Sequence, residues 1–169
     1  EQHPGERHLY MMPAEGGLRT RLTGLEGWNE AVLSPDESAL AFLHSTTTEP
    51  AELYLQPARP GADAVRVTLS TTDAFRAVAW TKPEVLSFKA RDGADVYARL
   101  YRPAAPAPTR PAVVFIHGAG YLQNAHKGWS SYFREFMFHS WLAANGYHVL
   151  DVDYRGSAGY GRDVRTAVY

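Results

Sequence analysis

A repeat of about 44 residues constrains the first half of this chain more than any other feature. Leu9-Tyr10-Met11-Met12-Pro13-Ala14 recurs as Leu53-Tyr54-Leu55-Gln56-Pro57-Ala58, and Gly17 is matched by Gly61. Arg21-Leu22-Thr23 then answers Arg66-Val67-Thr68, and Ala31-Val32 answers Ala77-Val78, the offset growing one residue at a time as insertions in turns would make it. A period of this size suits four-stranded propeller blades. Short apolar runs alternate with turn chemistry inside it, which places strands at Ala31–Leu33, Ala39–His44, Glu52–Gln56 and Val65–Thr68. Ser34-Pro35-Asp36-Glu37 is the turn between the first two, because proline presets its own dihedral and Ser or Asp bonds the local backbone. Residues 8–23 are then the last strands of one blade, 30–68 a complete blade, and Ala77–Trp80 the start of another. Fewer than two blades cannot close a propeller, so more chain is expected around this one.

The pattern changes at Trp80-Thr81-Lys82-Pro83, which sets a domain boundary between residues 82 and 83. Val85–Ala90 and Val96–Tyr101 flank Asp92-Gly93, a strong hairpin signal. The proline-rich stretch 102–111 follows as a surface loop. Ala112–Ile116 is an uninterrupted apolar run suited to a strand buried on both faces, as parallel strands usually are. A helix capped by Ser130 or Ser131 runs to about Asn145, with Phe133, Phe136, Met137, Trp141 and Ala144 as its buried stripe and Gly146 as its left-handed stop. Tyr147–Tyr154 returns as a strand, so strand, helix and strand form a parallel crossover. Residues 1–82 thus read as the last strands of a β-propeller, and residues 83–169 as the start of an α/β-hydrolase domain.

The apolar run at Ala112–Ile116 ends abruptly in His117-Gly118-Ala119-Gly120, small residues whose backbone can approach a ligand closely. In an α/β-hydrolase this junction donates a backbone N–H to the oxyanion, so His117, Gly118, Ala119 and Gly120 are the candidate oxyanion loop. Tyr121 and Gln123 are candidates for substrate contact or for tying the loop down. Asp151 and Asp153 share one face of their strand with Arg155 just beyond, which reads as a buried or loop-anchoring ion pair. Gly156-Ser157-Ala158-Gly159 imitates a nucleophile elbow, but Arg155 stands where G-x-S-x-G needs its first glycine. No serine here satisfies the pattern, and no triad acid or base can be assigned.

Composition removes several chemistries. A formal net charge of -1 with scattered charges offers neither a nucleic-acid face nor a polybasic membrane patch. With no cysteine there is no disulfide, thiolate zinc site or cysteine nucleophile. The seven histidines include no i, i+4 ligand pair, so neither metal nor cofactor is expected. No apolar run approaches the roughly 20 residues that span a bilayer.

The two regions together resemble the prolyl oligopeptidase family of serine peptidases, and within it bacterial dipeptidyl-peptidase-IV-like members. The matching residues are Ser34-Pro35-Asp36, Glu52-Leu53-Tyr54 and Arg66-Val67-Thr68, followed by Lys89-Ala90-Arg91-Asp92-Gly93. His117-Gly118-Ala119-Gly120-Tyr121-Leu122-Gln123-Asn124 and the run from Asp153-Tyr154-Arg155-Gly156-Ser157 to Ala158-Gly159-Tyr160-Gly161 complete the set. The resemblance implies a propeller capping an α/β-hydrolase domain, with peptides cleaved between them by a Ser-His-Asp triad expected beyond Tyr169. It also implies that many relatives carry, at the position of His117, a tyrosine whose hydroxyl helps bind the oxyanion; histidine here matches acylaminoacyl-peptidase-like relatives.

The expected function is therefore peptide hydrolysis of dipeptidyl or oligopeptidase type, by a complete protein of which this chain is an internal piece, inactive alone. Two other readings of the residues stand beside it: an α/β-hydrolase esterase, and a propeller-based binding protein with an inactive hydrolase domain. The expected partners are a peptide substrate and the remainder of the same polypeptide or a complementary fragment, with homo-oligomerisation left open.

Overall fold

The computed structural model describes residues 3–118 and 121–168. Most of its regular structure is sheet, with three helices. The chain divides into two compact units, Glu1–Val78 with Lys127–Trp129, and Ala79–His126 with Ser130–Tyr169.

The first unit is a meander. A two-stranded antiparallel pair, β1 (Tyr10–Met11) and β2 (Thr20–Arg21), precedes a four-stranded antiparallel sheet of β3 (Trp28–Leu33), β4 (Ala39–Ser45), β5 (Glu52–Pro57) and β6 (Val65–Arg66), in that spatial order. The Ser34–Ser38 turn closes as its residue types suggest, since Asp36 accepts the hydroxyls of Ser34 at 2.6 Å and Ser38 at 2.8 Å. Those hydroxyls are the main cause that holds the Asp36 carboxyl down at about 2. Alternation along the strands sorts the faces. Leu40 and Phe42 are buried with Leu22 and packed by Leu9, Ala31 and Tyr54. Across the sheet in register, Val32, Leu55 and Val65 point the other way and are exposed, with Leu43 beside them. This sheet is thus apolar on both faces. A sheet with only one covered face would carry polar residues on the other.

The strand expected at Ala77–Trp80 does not form. A short helix, α1 (Asp73–Arg76), stands just before it, Ala77 is its C-cap, and residues 78–80 continue without regular structure. The local reason is a cap: the Thr72 hydroxyl accepts the Phe75 N–H at 3.2 Å, which starts a helical turn before any strand can pair. Strand β3 also begins three residues earlier than its apolar core suggests, at Trp28, where its pairing with Ser45 starts.

The second unit is a mixed sheet with the order β7-β8-β10-β9. Strands β7 (Glu84–Lys89) and β8 (Asp95–Tyr101) form the expected hairpin, closed by Ala90 N–H to the Ala94 carbonyl at 2.8 Å. Only Gly93 adopts positive φ (+87°) there, so a longer loop replaces the two-residue turn. Strand β9 (Ala112–Ile116), helix α2 (Phe133–Ala144) and strand β10 (His148–Asp153) make the crossover, and β10 runs parallel to β9 and antiparallel to β8. A final helix, α3 (Arg162–Thr166), follows.

Helix α2 corrects two expectations. Its N-cap is Tyr132, with no side-chain cap bond; Ser130 instead donates to Asn124 Oδ1 at 2.7 Å and accepts the Tyr132 N–H at 3.0 Å. Its buried side is also rotated. Phe136, His139, Ser140, Leu142 and Ala143 face inward, while Phe133 and Trp141 are exposed. His139 fits because its ring meets Tyr101 and Phe115 edge-on, at 5.3 and 5.2 Å, among aromatic neighbours that tolerate a neutral imidazole. Burial pushes its pKa down to about 4. Gly146 ends the helix with φ +88°, and a Cβ there would meet the Ala107 nitrogen at 2.8 Å.

Candidate active site

The site lies in the second unit, where β9 and β10 end side by side. His117 follows β9 directly, and its side chain turns inward, leaving the residue 3% exposed. Nδ1 lies 2.8 Å from the Gly118 carbonyl oxygen. A carbonyl only accepts, so in this contact Nδ1 carries the hydrogen, while Nε2 lies within hydrogen-bond distance of the Ser157 hydroxyl, at 3.1 Å. Nε2 also lies 3.3 Å from Asp153 Oδ1.

A serine, a histidine and an aspartate this close invite comparison with a nucleophile–base–acid triad. In a triad the two ring nitrogens divide the work, one taking the serine proton and the other being oriented by the carboxylate. Here Ser157 and Asp153 approach the same nitrogen, and Ser157 is fully buried. This is the geometry of a fastening, with both groups on one ring nitrogen.

What it fastens is the loop after β9. Asp153 accepts the Asn124 N–H at 3.0 and 2.9 Å, the Ala125 N–H at 2.9 Å and the Tyr160 hydroxyl at 2.6 Å. Burial, and then the Asp153 charge, push the Tyr160 pKa upward, so the phenol stays a donor. Asp151 accepts the Asn124 amide at 2.7 Å, and its register partner in β8 is Arg99, which donates through Nε to the His126 carbonyl at 3.0 Å. Burial raises Asp151 to about 6 against the opposing charge of Arg99. The loop-anchoring role expected of the two aspartates is what their bonds show. Their cationic neighbour is Arg99, however, because Arg155 pairs with Asp92 instead.

The Gly118 peptide is held from both sides. Its N–H donates to the Tyr132 hydroxyl at 3.3 Å, and its carbonyl accepts the Tyr154 hydroxyl at 3.1 Å. Gly118 N–H is thus engaged rather than free, through a long bond to a group at the start of α2. Ala119 and Gly120, the other two members of the predicted oxyanion loop, lie outside the described residues. Tyr121 adopts φ +59°, rare for a non-glycine residue, and is 40% exposed with the Arg165 guanidinium 4.8 Å from its ring centroid. Gln123 hydrogen-bonds Tyr160 and packs where a side chain on Gly159 would stand. The Ala158 N–H bonds the Leu122 carbonyl at 3.1 Å, which joins the loop to the glycine-rich turn after β10.

Sequence reasoning assigned no role to Arg99, Tyr132 or Tyr154, and passed over Asn124 and Tyr160 inside the motif strings. The register of β8 against β10 is the signal that reveals Arg99, and pairing register is invisible in a linear pattern.

No family model matches the chain. It is 31% identical over 97% of its length to an uncharacterized peptidase, YuxL, of Bacillus subtilis, of which it covers 24%. It is 27% identical over 82% of its length to dipeptidyl peptidase family member 6 of Caenorhabditis elegans, of which it covers 20%. The crystal structure of Porphyromonas gingivalis dipeptidyl peptidase 4 superposes with a TM-score of 0.78 at 25% identity, over 98% of this chain and 23% of that one. These likenesses support a fragment of prolyl oligopeptidase type. The likeness is to dipeptidyl-peptidase-IV-like proteins, and the chain spans about a quarter of the length of the relatives it matches. No described helix of this chain is long and apolar enough to cross a membrane.

Proposed function

We propose that this chain supplies the oxyanion side of the active site in a serine peptidase of the prolyl oligopeptidase family. Residues 83–169 are the opening of an α/β-hydrolase catalytic domain, and residues 1–82 are the last blades of a β-propeller. The nucleophile, base and acid of a Ser-His-Asp triad lie outside these 169 residues, and the chain alone does not catalyse. The substrate is a peptide, cleaved in dipeptidyl or oligopeptidase fashion.

The observation that carries this reading is the junction of β9 with the His117–Gly118 turn, beside the parallel strand β10. A buried network fixes the path of that turn, as preorganised donors require: donors in place before reaction cost no reorganisation when charge develops. The absence of G-x-S-x-G from the sequence, together with the buried position of Ser157, supports placing the nucleophile elsewhere. The sheet of β3 to β6, apolar on both faces, supports the blade assignment, since a blade is packed between neighbours. His117 contributes by holding Gly118 from the inside, and its buried ring does not take the place of a phenolic donor.

Treating the full-length protein with a fluorophosphonate tests the reading. One serine outside residues 1–169 should be labelled, with loss of hydrolysis of peptide substrates. Labelling at Ser157, or peptide hydrolysis by a protein that takes no label, would refute it.

A further inference from the structure

Between Tyr121, the Ala158–Gly161 turn and the first residues of α3 lies a cleft of about 610 Å³. The charged residues in its lining are Arg162 and Arg165, three apart in sequence and so on neighbouring positions of α3. No acid among the described residues lines it, and the Arg162 guanidinium has no hydrogen-bond or ion-pair partner among them. Two guanidiniums facing one cleft repel each other, and an anion between them removes that cost. Arg165 is already positioned, since its guanidinium lies against the Tyr121 ring. A guanidinium presents a planar fork of N–H donors that matches a carboxylate, so the chemistry favoured here is a bidentate carboxylate contact.

The place of the cleft gives this charge a use. Tyr121 belongs to the loop that follows Gly118, and the turn at Gly159 is joined to that loop through Ala158 and Leu122. We propose that the cleft is an anion subsite that receives a carboxylate of the peptide substrate, held by Arg162 and Arg165 with Tyr121 as a platform. This inference rests on the reading of the loop as part of a peptidase active site. The carboxylate has two sources in a peptide, the free C-terminus and an Asp or Glu side chain.

The test uses the full-length protein and three matched peptides: one neutral with a C-terminal amide, one with a free C-terminal carboxylate, and one amidated but carrying Glu in place of Gln. The wild type should favour one carboxylate peptide over the neutral one by about tenfold in kcat/KM, chiefly through KM. Which peptide is favoured identifies the source. In the Arg162→Gln/Arg165→Gln double variant that ratio should fall to near one. Equal turnover of all three peptides by the wild type, or a preference that survives the double substitution, would overturn the subsite. If no peptide is cleaved at all, the peptidase reading fails by itself. The subsite is then decided by calorimetry, where it requires tighter binding of a carboxylate peptide than of the neutral one in the wild type but not in the double variant.

Discussion

Replacing Asp153 with alanine is expected to cost about 3–5 kcal/mol and to release the loop after β9. The carboxylate is fully buried and is the common acceptor for two backbone N–H groups and the Tyr160 hydroxyl. Alanine leaves all three donors in place with nothing to receive them. Each stranded buried donor costs about 1–3 kcal/mol, and the sum is damped because neighbouring groups share the relaxation. Hydrogen–deuterium exchange on the full-length protein reads this locally: the Asn124 and Ala125 amides should lose protection, while amides of β4 and β5 keep theirs. Asp153→Asn, which keeps one acceptor oxygen, should lose less. Unchanged protection at Asn124 in the alanine variant would show that the carboxylate does not hold the loop.

Gly159→Ala is expected to destabilise by about 2–4 kcal/mol, against about 1–2 kcal/mol for Gly161→Ala. Both glycines have positive φ, +91° and +89°, so both substitutions carry the left-handed penalty of an L side chain. They differ in what the new methyl group meets. A Cβ at Gly161 meets nothing within 4 Å, whereas one at Gly159 overlaps the Gln123 amide. That amide cannot retreat without giving up its bond to Tyr160, and the Ala158–Leu122 bond keeps the two segments close. The difference between the two variants in thermal unfolding isolates the cost of the overlap. Equal shifts would mean that Gln123 swings away freely.

Residue pattern was a good guide wherever one local rule decided the outcome. The strands β3 to β5 were placed by period-two alternation and turn chemistry, the hairpin by Asp92-Gly93, and the stop of α2 by Gly146. It misled where two rules competed. Helix α2 carries aromatic residues on more than one side, so Phe133 and Trp141 fitted a helical stripe as well as Phe136 did. The aromatic cage of Tyr101 and Phe115 then drew His139 inward and turned that stripe to solvent. At Ala77–Val78 the repeat argued for a strand, and the Thr72 cap argued for a helical turn that needs no distant partner. The candidate site was legible as a place but not as a set of bonds. His117 and the small residues after it marked where β9 ends. That the imidazole points into the fold depends on a contact 40 residues away in the chain, and that Tyr132 and Tyr154 grip Gly118 on contacts 14 and 36 residues away.

The claim that the turn after β9 forms the oxyanion side of the active site is tested most directly by a crystal structure of the full-length protein with a phosphonate bound covalently to its nucleophile. The charged phosphonyl oxygen should lie about 2.7–3.1 Å from a backbone N–H within residues 118–121, with His117 still bonded inward to Gly118 and Ser157. A phosphonyl oxygen held by groups elsewhere, with the 118–121 amides more than about 4 Å away, would contradict it.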